Sequence, residues 1–257
     1  TGPGYDEAGL IKQSGKQAKA DYGKEENMVH IVGAGPGAED LITVRGLKFL
    51  KQADIVIYAG SLVNPGLLKE TKQDAMIYDS AKMTLEQVIE QAWKEHKEVV
   101  RLHTGDPCIY GAIREQMDAM DKSGIKYDIC PGVSSFCGTA AALQMEYTLP
   151  GISQSVVITR MAGRTPVPER ESIRQFASHQ ATMVVFLSTG MLKELSEELM
   201  AGGYPSDIQG YLAGRKNGTH NRSWACRSSR AGEYYKNSPD RSRKCSGTKW
   251  LRQVKTV

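Results

Sequence analysis

Residues 28–37 are MVHIVGAGPG, an apolar and β-branched run that passes straight into a glycine-rich turn. A short apolar run that ends at glycine is typical of a strand buried on both faces. A glycine-rich turn at the carboxyl end of such a strand indicates a nucleotide site or, equally, a tight turn that feeds a helix. Here the spacing is GxGxG with a proline in the turn, and proline removes one N–H from any phosphate cradle. The turn therefore disfavours a dinucleotide site, which needs GxGxxG.

A strand followed by a glycine-containing turn occurs twice more. The run VVRLH, residues 99–103, precedes TGDPCIYG, residues 104–111, and YDIC, residues 127–130, precedes PGVSS, residues 131–135. Ligands of open α/β sheets bind at the carboxyl ends of the strands. Three such turns on one sheet predict a ligand site built from backbone amides, carbonyls and small hydroxyls.

The polar residues of these turns have two interpretations. Asp106 can accept hydrogen bonds from an ammonium group or a ribose hydroxyl of a ligand, or it can be the N-cap of a helix. Ser134 or Ser135 can likewise cap the helix that follows the third turn. Both interpretations remain open at the level of the sequence.

Around these turns, strand patterns alternate with helical patterns, which predicts a mostly parallel sheet covered on both faces. Thr84 and Gln87 form a capping-box pattern at the start of the clearest helix. The predicted strands are Met28–Gly33, Asp54–Tyr58, Ala75–Tyr78, Val99–His103, Tyr127–Cys130, Ser155–Arg160 and Thr182–Leu187, and the predicted helices are Thr84–Lys97, Ala112–Lys122, Glu169–Ser178 and Met191–Ala201. Leu149-Pro150-Gly151 is typical of a linker. We therefore expect an α/β chain with a leader or added extension at 1–27, an N-terminal αβ domain at 28–147 and a C-terminal αβ domain at 148–257.

Composition excludes several classes of protein. The 257 residues are 40% hydrophobic and 24% charged, which is typical of a globular protein, and no apolar run approaches the length of a membrane span. The five cysteines form no CxxC pair, which fits a reducing cytoplasm and argues against a bound metal. The motifs GxSxG, HExxH and GK[ST] are absent, so hydrolase and phosphotransferase functions lack their usual support.

The ordered set GAGPG, TGDPCIYG and PGVSS resembles the tetrapyrrole (corrin/porphyrin) methylase family. The strings YAGSLV at 58–63 and RLHTGDPCIYGA at 101–112 narrow the resemblance to members that methylate carbon 11 of a corrin precursor in cobalamin biosynthesis. The resemblance covers about residues 28–206.

Membership of this family implies two αβα domains with an active-site trough between them, and a homodimer. It implies S-adenosylmethionine as the methyl donor, S-adenosylhomocysteine as the product, a tetrapyrrole acceptor and no metal held by the protein. By position, the resemblance places donor contacts at Pro36, Thr104, Gly105, Asp106, Ile109, Ser134, Ser135 and Leu187.

The acceptor carries many carboxylates, so basic residues on the rim of the trough are candidates for its binding. The candidates are Arg160, Arg164 and Arg170 of the second domain, together with Tyr110 of the second turn. Ordinary solvated charge is the alternative interpretation of the three arginines. The sequence identifies no catalytic base.

Three other functions compete with this one. The first keeps the family and changes the acceptor to uroporphyrinogen III, another precorrin, diphthine or ribosomal RNA. The second is a nicotinamide-dependent oxidoreductase, which the GxGxG spacing disfavours, as does Asp54, which opens its strand where that fold needs an acidic residue at a strand end. The third is a nucleic-acid-binding protein that uses a basic tail.

That tail is residues 207–257, which hold 12 Lys or Arg against 3 Asp or Glu, a net charge of +9. It departs from the apolar strands that the family has at this point, and its apolar residues are mostly isolated. Either the natural tail differs or the residues derive from a shifted reading frame. We expect that these residues cannot form the apolar strands a two-domain methylase needs, leaving strand Thr182–Leu187 with an unpaired edge.

Overall fold

The structure is a computed structural model, and it describes residues 28–92, 97–206, 209–213 and 223–227. Its first sheet has five strands: β1 (Met28–Gly33), β2 (Ile55–Tyr58), β3 (Met76–Asp79), β4 (Val99–His103) and β5 (Lys126–Cys130). They are all parallel and lie in the order β3-β2-β4-β1-β5. The three central strands are rich in Val and Ile and are almost wholly buried, as expected for a parallel sheet covered on both faces. The predicted strands of this half are confirmed to within one residue at each end.

The described part of this half contains the α-helices α1 (Val44–Gln52), α2 (Leu85–Ala92), α3 (Arg114–Lys122) and α4 (Ser135–Ala142). Helix α1 packs on one face of the sheet through Leu50, and helices α2 and α3 pack on the other through Val88 and Met120. The predicted capping box is confirmed, since Thr84 N–H donates to Gln87 Oε1 at 2.9 Å and Gln87 N–H donates to Thr84 Oγ1 at 3.3 Å. The predicted end of α2, residues 93–96, lies outside the described residues.

Because the helices that follow β1 and β4 lie on opposite faces, the chain diverges between these two neighbouring strands. Open α/β sheets form their ligand crevice at such a point, at the carboxyl ends of the strands. The fold therefore brings the three glycine-containing turns to the place where a ligand is expected.

The second sheet contains β6 (Val156–Arg160) and β7 (Thr182–Phe186), which are parallel, with α5 (Ile173–Ala177) between them and α6 (Leu192–Ala201) after them. Met183 and Val185 of β7 pack with Leu195 and Leu199 of α6 in a separate core. The predicted helix Glu169–Ser178 is shorter than expected, because residues 169–171 form a 3-10 turn before Ser172 caps α5. A cluster around Tyr147, Val184 and Phe186 joins this sheet to α4 of the first half.

Our expectation that residues 207–257 cannot form the strands that a second domain needs, and that Thr182–Leu187 has an unpaired edge, is wrong. Strands β8 (Gln209–Ala213) and β9 (Ser223–Arg227) complete the second sheet in the order β6-β7-β9-β8. Strand β9 runs antiparallel to β7 and covers the edge that we expected to be unpaired. The physical reason is that backbone pairing to an open edge depends on tertiary context more than on local strand propensity. The other residues of the tail, the proposed basic arm and residues 1–27 lie outside the described residues.

Within the described ranges, no helix is long and apolar enough to cross a membrane.

Candidate functional site

Three glycines, one from each strand-end turn, pack directly against one another. A Cβ atom on Gly33 would lie 2.6 Å from the carbonyl oxygen of Gly105 and 2.6 Å from Cα of Gly132. A Cβ atom on Gly132 would lie 2.2 Å from the same carbonyl oxygen. These distances leave no room for a side chain at Gly33 or Gly132, so glycine is required at both positions because the backbones touch. The three turns are thereby fixed as one unit.

Two N–H groups of the first turn form hydrogen bonds within the protein. Ala34 N–H donates to the carbonyl of His103 at 2.7 Å, and Gly35 N–H donates to that of Gly105 at 3.3 Å. Gly105 N–H returns a bond to the carbonyl of Gly35 at 2.9 Å. Because Pro36 has no N–H, the turn offers little to a phosphate group. This geometry agrees with the argument from its GxGxG spacing against a dinucleotide site.

Asp106 joins the second turn to the third. Its Oδ1 accepts from Cys108 N–H at 2.8 Å, and its Oδ2 accepts from Gly132 N–H at 2.9 Å. The next helix, α3, begins only at Arg114, so the interpretation of Asp106 as a helix N-cap is wrong. The short side chain instead closes its own turn and reaches across to the backbone after β5. Asp106 therefore clamps two of the three turns together.

A cleft opens between these turns and the carboxyl end of β7. It is partly open to solvent, and its space, counted with that open part, is about 440 Å³. Its lining residues come from the loop after β4, the start of α4 and the end of β7: Thr104, Gly105, Asp106, Ile109, Tyr110, Gly111, Ser134, Ser135, Phe186 and Leu187. Both sheets thus contribute to one cleft, as the two-domain architecture of the family implies.

Two residues that line this cleft have unusual backbone conformations. Tyr110 has φ +54° and Leu187 has φ +57°, a region that bulky residues rarely adopt. Both are large and exposed, at 43% and 53%. The ring of Tyr110 lies 5.3 Å from that of Phe186 at 45°, which brings the two walls into contact. Unfavourable backbone conformations of this kind cluster at functional sites.

Most of the residues expected to contact the donor meet in this cleft. Seven of the eight line it, and so does Tyr110 from the expected acceptor set. Pro36 is not among the lining residues, because it packs behind them against α4, where a Cβ atom on Gly138 would lie 2.8 Å from its ring. Gly111 and Phe186 also line the cleft and were not predicted. Phe186 could not be recognised from the sequence, because it looks like any other apolar residue of a buried strand. Its place in the cleft becomes evident only when the two sheets are seen together.

The arginines lie outside the lining. Arg160 donates hydrogen bonds to the carbonyl oxygens of Met161, Thr165 and Pro166 at 2.9–3.2 Å. It thereby organises the Pro- and Arg-rich loop after β6, and it is close enough to Tyr110 for its charge to act on that phenol. Arg164 is exposed in the same loop, and Arg170 lies in the 3-10 turn that follows.

Burial controls the ionisation of groups around the cleft. Burial raises the pKa values of the Cys108 and Cys137 thiols, and the nearby Asp106 carboxylate raises them further. Burial also raises the pKa of Tyr110, which keeps its phenol neutral. Below the cleft, burial lowers the pKa of His103 to about 3, so this histidine is a neutral packed residue. Neither thiol is therefore poised as a thiolate nucleophile.

Among the described residues, no group of three His, Cys, Asp or Glu side chains is placed to hold a metal ion.

A parallel α/β unit joined to a second sheet, with a ligand cleft at their carboxyl ends, is the architecture implied by the motifs. A family model described as Tetrapyrrole (Corrin/Porphyrin) Methylases matches residues 28–224, and the chain belongs to this family.

Within this family, the chain is similar to proteins named for one methylation reaction. The chain is 54% identical over 179 residues to a cobalt-precorrin-4 C(11)-methyltransferase from Methanocaldococcus jannaschii, covering 68% of this chain and 69% of that one. It is 43% identical over 175 residues to a precorrin-4 C(11)-methyltransferase from Pseudomonas aeruginosa, covering 67% and 70%. A solved cobalt precorrin-4 methyltransferase matches with a TM-score of 0.71 and 40% identity over 78% of this chain and 85% of that one. The fold is also that of a uroporphyrin-III C-methyltransferase from Thermus thermophilus, with a TM-score of 0.63, 24% identity, and coverage of 81% and 95%.

Proposed function

We propose that this protein transfers a methyl group from S-adenosylmethionine to carbon 11 of precorrin-4 or cobalt-precorrin-4 in cobalamin biosynthesis. The observation that carries the proposal is the identity of 54% and 43% to relatives that bear this activity in their names. The same motifs that carry the resemblance form the wall of one cleft. The relatives include both acceptor forms, so both belong in the test.

The cleft has the chemistry that the donor needs. Thr104, Ser134 and Ser135 carry small hydroxyls, and residues of the loop from Gly105 to Ile109 line the cleft beside them. We assign donor binding to these residues together with Asp106 and Leu187. Pro36 contributes indirectly, by supporting the first half of α4 through its contact at Gly138.

Methyl transfer places modest chemical demands on the protein. S-adenosylmethionine, when bound, supplies a methyl group that is already electrophilic, and the acceptor carbon is electron-rich. The residues of the cleft therefore need to orient the two reactants and to exclude water. Orientation alone can contribute roughly 7–11 kcal/mol to the lowering of a barrier. This is consistent with thiols near the cleft that are neutral.

We assign acceptor binding to the open side of the cleft, next to Tyr110. The guanidinium of Arg160 is held by three neutral carbonyl oxygens, so its charge stays available to the carboxylates of a tetrapyrrole. Arg164 lies four residues further along the same loop and is exposed. An acceptor at this position would have its ring against the phenol of Tyr110 and its carboxylates toward the loop.

We further propose that the protein is a homodimer that works in the cytoplasm, as the family resemblance implies. Sedimentation velocity on the purified chain tests the first point: a single species of twice the 28.2 kDa chain mass supports it. A monomer across the micromolar range contradicts it. Cell fractionation tests the second.

Two measurements test the proposed activity. Calorimetry should show saturable binding of S-adenosylhomocysteine and no binding of NAD, and the reverse pattern would refute the proposal. Turnover should then be compared on precorrin-4, cobalt-precorrin-4 and uroporphyrinogen III. Preference for uroporphyrinogen III would keep the family and overturn the assigned acceptor.

A further inference from the structure

The loop that carries Tyr110 into the cleft is held in an unfavourable conformation. Tyr110 has φ +54° and Ala112 has φ +51°, and both lie where side chains are disfavoured. Between them, a Cβ atom on Gly111 would lie 2.1 Å from the carbonyl oxygen of Pro107, so the chain turns back on itself. Such a segment persists only when its surroundings over-determine it.

A buried pair of polar side chains holds the end of this loop. The side chain of Gln116, on α3, donates from Nε2 to the carbonyl of Ala112 at 3.0 Å. Its Oε1 accepts from Arg101 Nε at 3.0 Å, and Arg101 Nη1 donates to the carbonyl of Ile57 at 3.0 Å. Because Arg101 can only donate, the side-chain oxygen of Gln116 must face the arginine. The NH2 group of Gln116 then faces the carbonyl of Ala112.

The burial of Arg101 shows that this arrangement has a cost. The residue is 8% exposed, and both acceptors named above are neutral. Burial lowers its pKa to about 10, so it remains a cation at neutral pH. An apolar residue in this position of β4 would fill the same core without such a cost. Packing alone therefore does not explain why Arg101 and Gln116 are buried here.

We propose that Arg101 and Gln116 are positioning residues that hold Tyr110 against Phe186, and that they thereby set the affinity of the cleft for the acceptor. The proposal rests on the proposed function, because it assigns Tyr110 to the acceptor side. Tyr110 is exposed, so core packing gives little to fix it, and its ring reaches the second sheet only because the loop turns at residues 110–112. The bond from Gln116 to Ala112 is made at the end of that turn.

The sharpest variant is Gln116→Glu. It keeps the size of the side chain and the bond to Arg101, but it places a carboxylate oxygen against the carbonyl of Ala112, where the amide donated. We expect KM for the acceptor to rise by roughly tenfold, the size of effect expected when a hydrogen bond is replaced by a repulsive contact. The affinity for S-adenosylhomocysteine should stay within about twofold. The matched control is Gln175→Glu, an exposed glutamine on α5, which should leave both values unchanged.

A double-mutant cycle separates positioning from general damage. In a Tyr110→Ala background, Gln116→Glu should cause no further rise in KM, because the residue it positions is already gone. Adding Ala112→Gly to Gln116→Glu should restore much of the affinity, because glycine adopts positive φ without strain. Independent, multiplied defects in the cycle, or failure of the glycine to rescue, would overturn the proposal.

A third measurement distinguishes failure of this inference from failure of the proposed function. Amide hydrogen exchange of residues 110–112 needs no substrate. It should accelerate in Gln116→Glu and not in Gln175→Glu. Unchanged exchange would overturn the positioning role whether or not the protein methylates a tetrapyrrole. Accelerated exchange in a protein that shows no turnover would support the positioning role and remove only the assigned acceptor.

Discussion

Replacing Asp106 with alanine tests how the cleft is built. The carboxylate holds Cys108 N–H at 2.8 Å and Gly132 N–H at 2.9 Å, so Asp106→Ala removes two charge-assisted hydrogen bonds at once. Bonds to charged groups contribute roughly 1.5–3 kcal/mol each when shielded, and less when exposed, as the bond to Cys108 is. We therefore expect the free energy of unfolding to fall by about 2–4 kcal/mol. Asp106→Asn should lose about half of this, because an amide has only one acceptor oxygen.

The consequence for binding follows from the position of the clamp. Asp106 joins the turn that carries Thr104 to the turn that precedes Ser134, and both residues line the cleft. We expect the dissociation constant for S-adenosylhomocysteine to rise by at least about tenfold in Asp106→Ala, which corresponds to about 1.4 kcal/mol. Urea denaturation and calorimetry on the same preparations give the two quantities.

The control is Asp118→Ala, which removes an exposed i,i+4 pair with Arg114 on α3. It should cost no more than about 0.5 kcal/mol and leave ligand affinity unchanged. The reasoning is refuted if Asp106→Ala loses stability as expected but binds S-adenosylhomocysteine with unaltered affinity. In that case the clamp and the ligand site would be separate.

Three further variants test other parts of the account. Burial lowers the pKa of His103 to about 3, whereas an unfolded imidazole titrates near 6.5. As the pH falls, the unfolded state therefore takes up a proton before the folded state does. The free energy of unfolding should then fall by up to about 1.4 kcal/mol per pH unit from about pH 6.5 to 5. Denaturation curves should show this slope reduced in His103→Gln but kept in the exposed His179→Gln. Gly132→Ala should destabilise by about 2 kcal/mol or more in thermal melts, because its Cβ would lie 2.2 Å from a carbonyl oxygen, whereas Gly163→Ala, with nothing within 4 Å, should be nearly neutral. Leu187→Gly should leave stability unchanged or raise it by up to about 1 kcal/mol, since it relieves a positive φ at an exposed residue. The same variant should weaken S-adenosylhomocysteine binding measured by calorimetry. A stability loss with unchanged binding would contradict the assignment of Leu187 to the cleft.

The parallel half of the fold was predictable because its signals are local. Each buried strand is a short Val- and Ile-rich run that ends at a turn, and the helix after Thr84 carries both a period and a capping box. Since the carboxyl ends of parallel strands share one edge, the turns could be placed together without any structure. Seven of the eight expected donor residues do lie in one cleft.

The hydrogen bonds that hold the cleft could not be predicted from the sequence, because they join segments that are distant in the chain. The bond that Gly132 N–H donates to Asp106 spans 26 residues, and the bond that Arg101 donates to Gln116 joins a buried strand to a helix. Neither has a local pattern. Pro36 packs against Gly138 of α4 and lies outside the cleft lining, because packing decides which side of a turn faces the cleft. Its expected contact with the ligand stays a prediction.

In the tail, the sequence argued against strands that the structure contains, again because their pairing depends on distant residues. Strand β9 is only five residues long, SWACR, with no clear alternation, and composition alone argued against it. Its register against β7, with Val184 opposite Ala225 and Val185 opposite Trp224, is set by the open edge of the sheet. A strand whose pairing partner already exists needs less propensity of its own.

The central claim is that this cleft methylates carbon 11 of a precorrin, and one measurement tests it most directly. The purified protein is incubated with precorrin-4 or cobalt-precorrin-4 and with S-adenosylmethionine carrying an isotopically labelled methyl group, and the product is examined by mass spectrometry and NMR. We predict one added methyl group, with the label on carbon 11, and an equal amount of S-adenosylhomocysteine. A label on a different carbon, or an acceptor recovered unchanged while the same preparation binds S-adenosylhomocysteine, would contradict it.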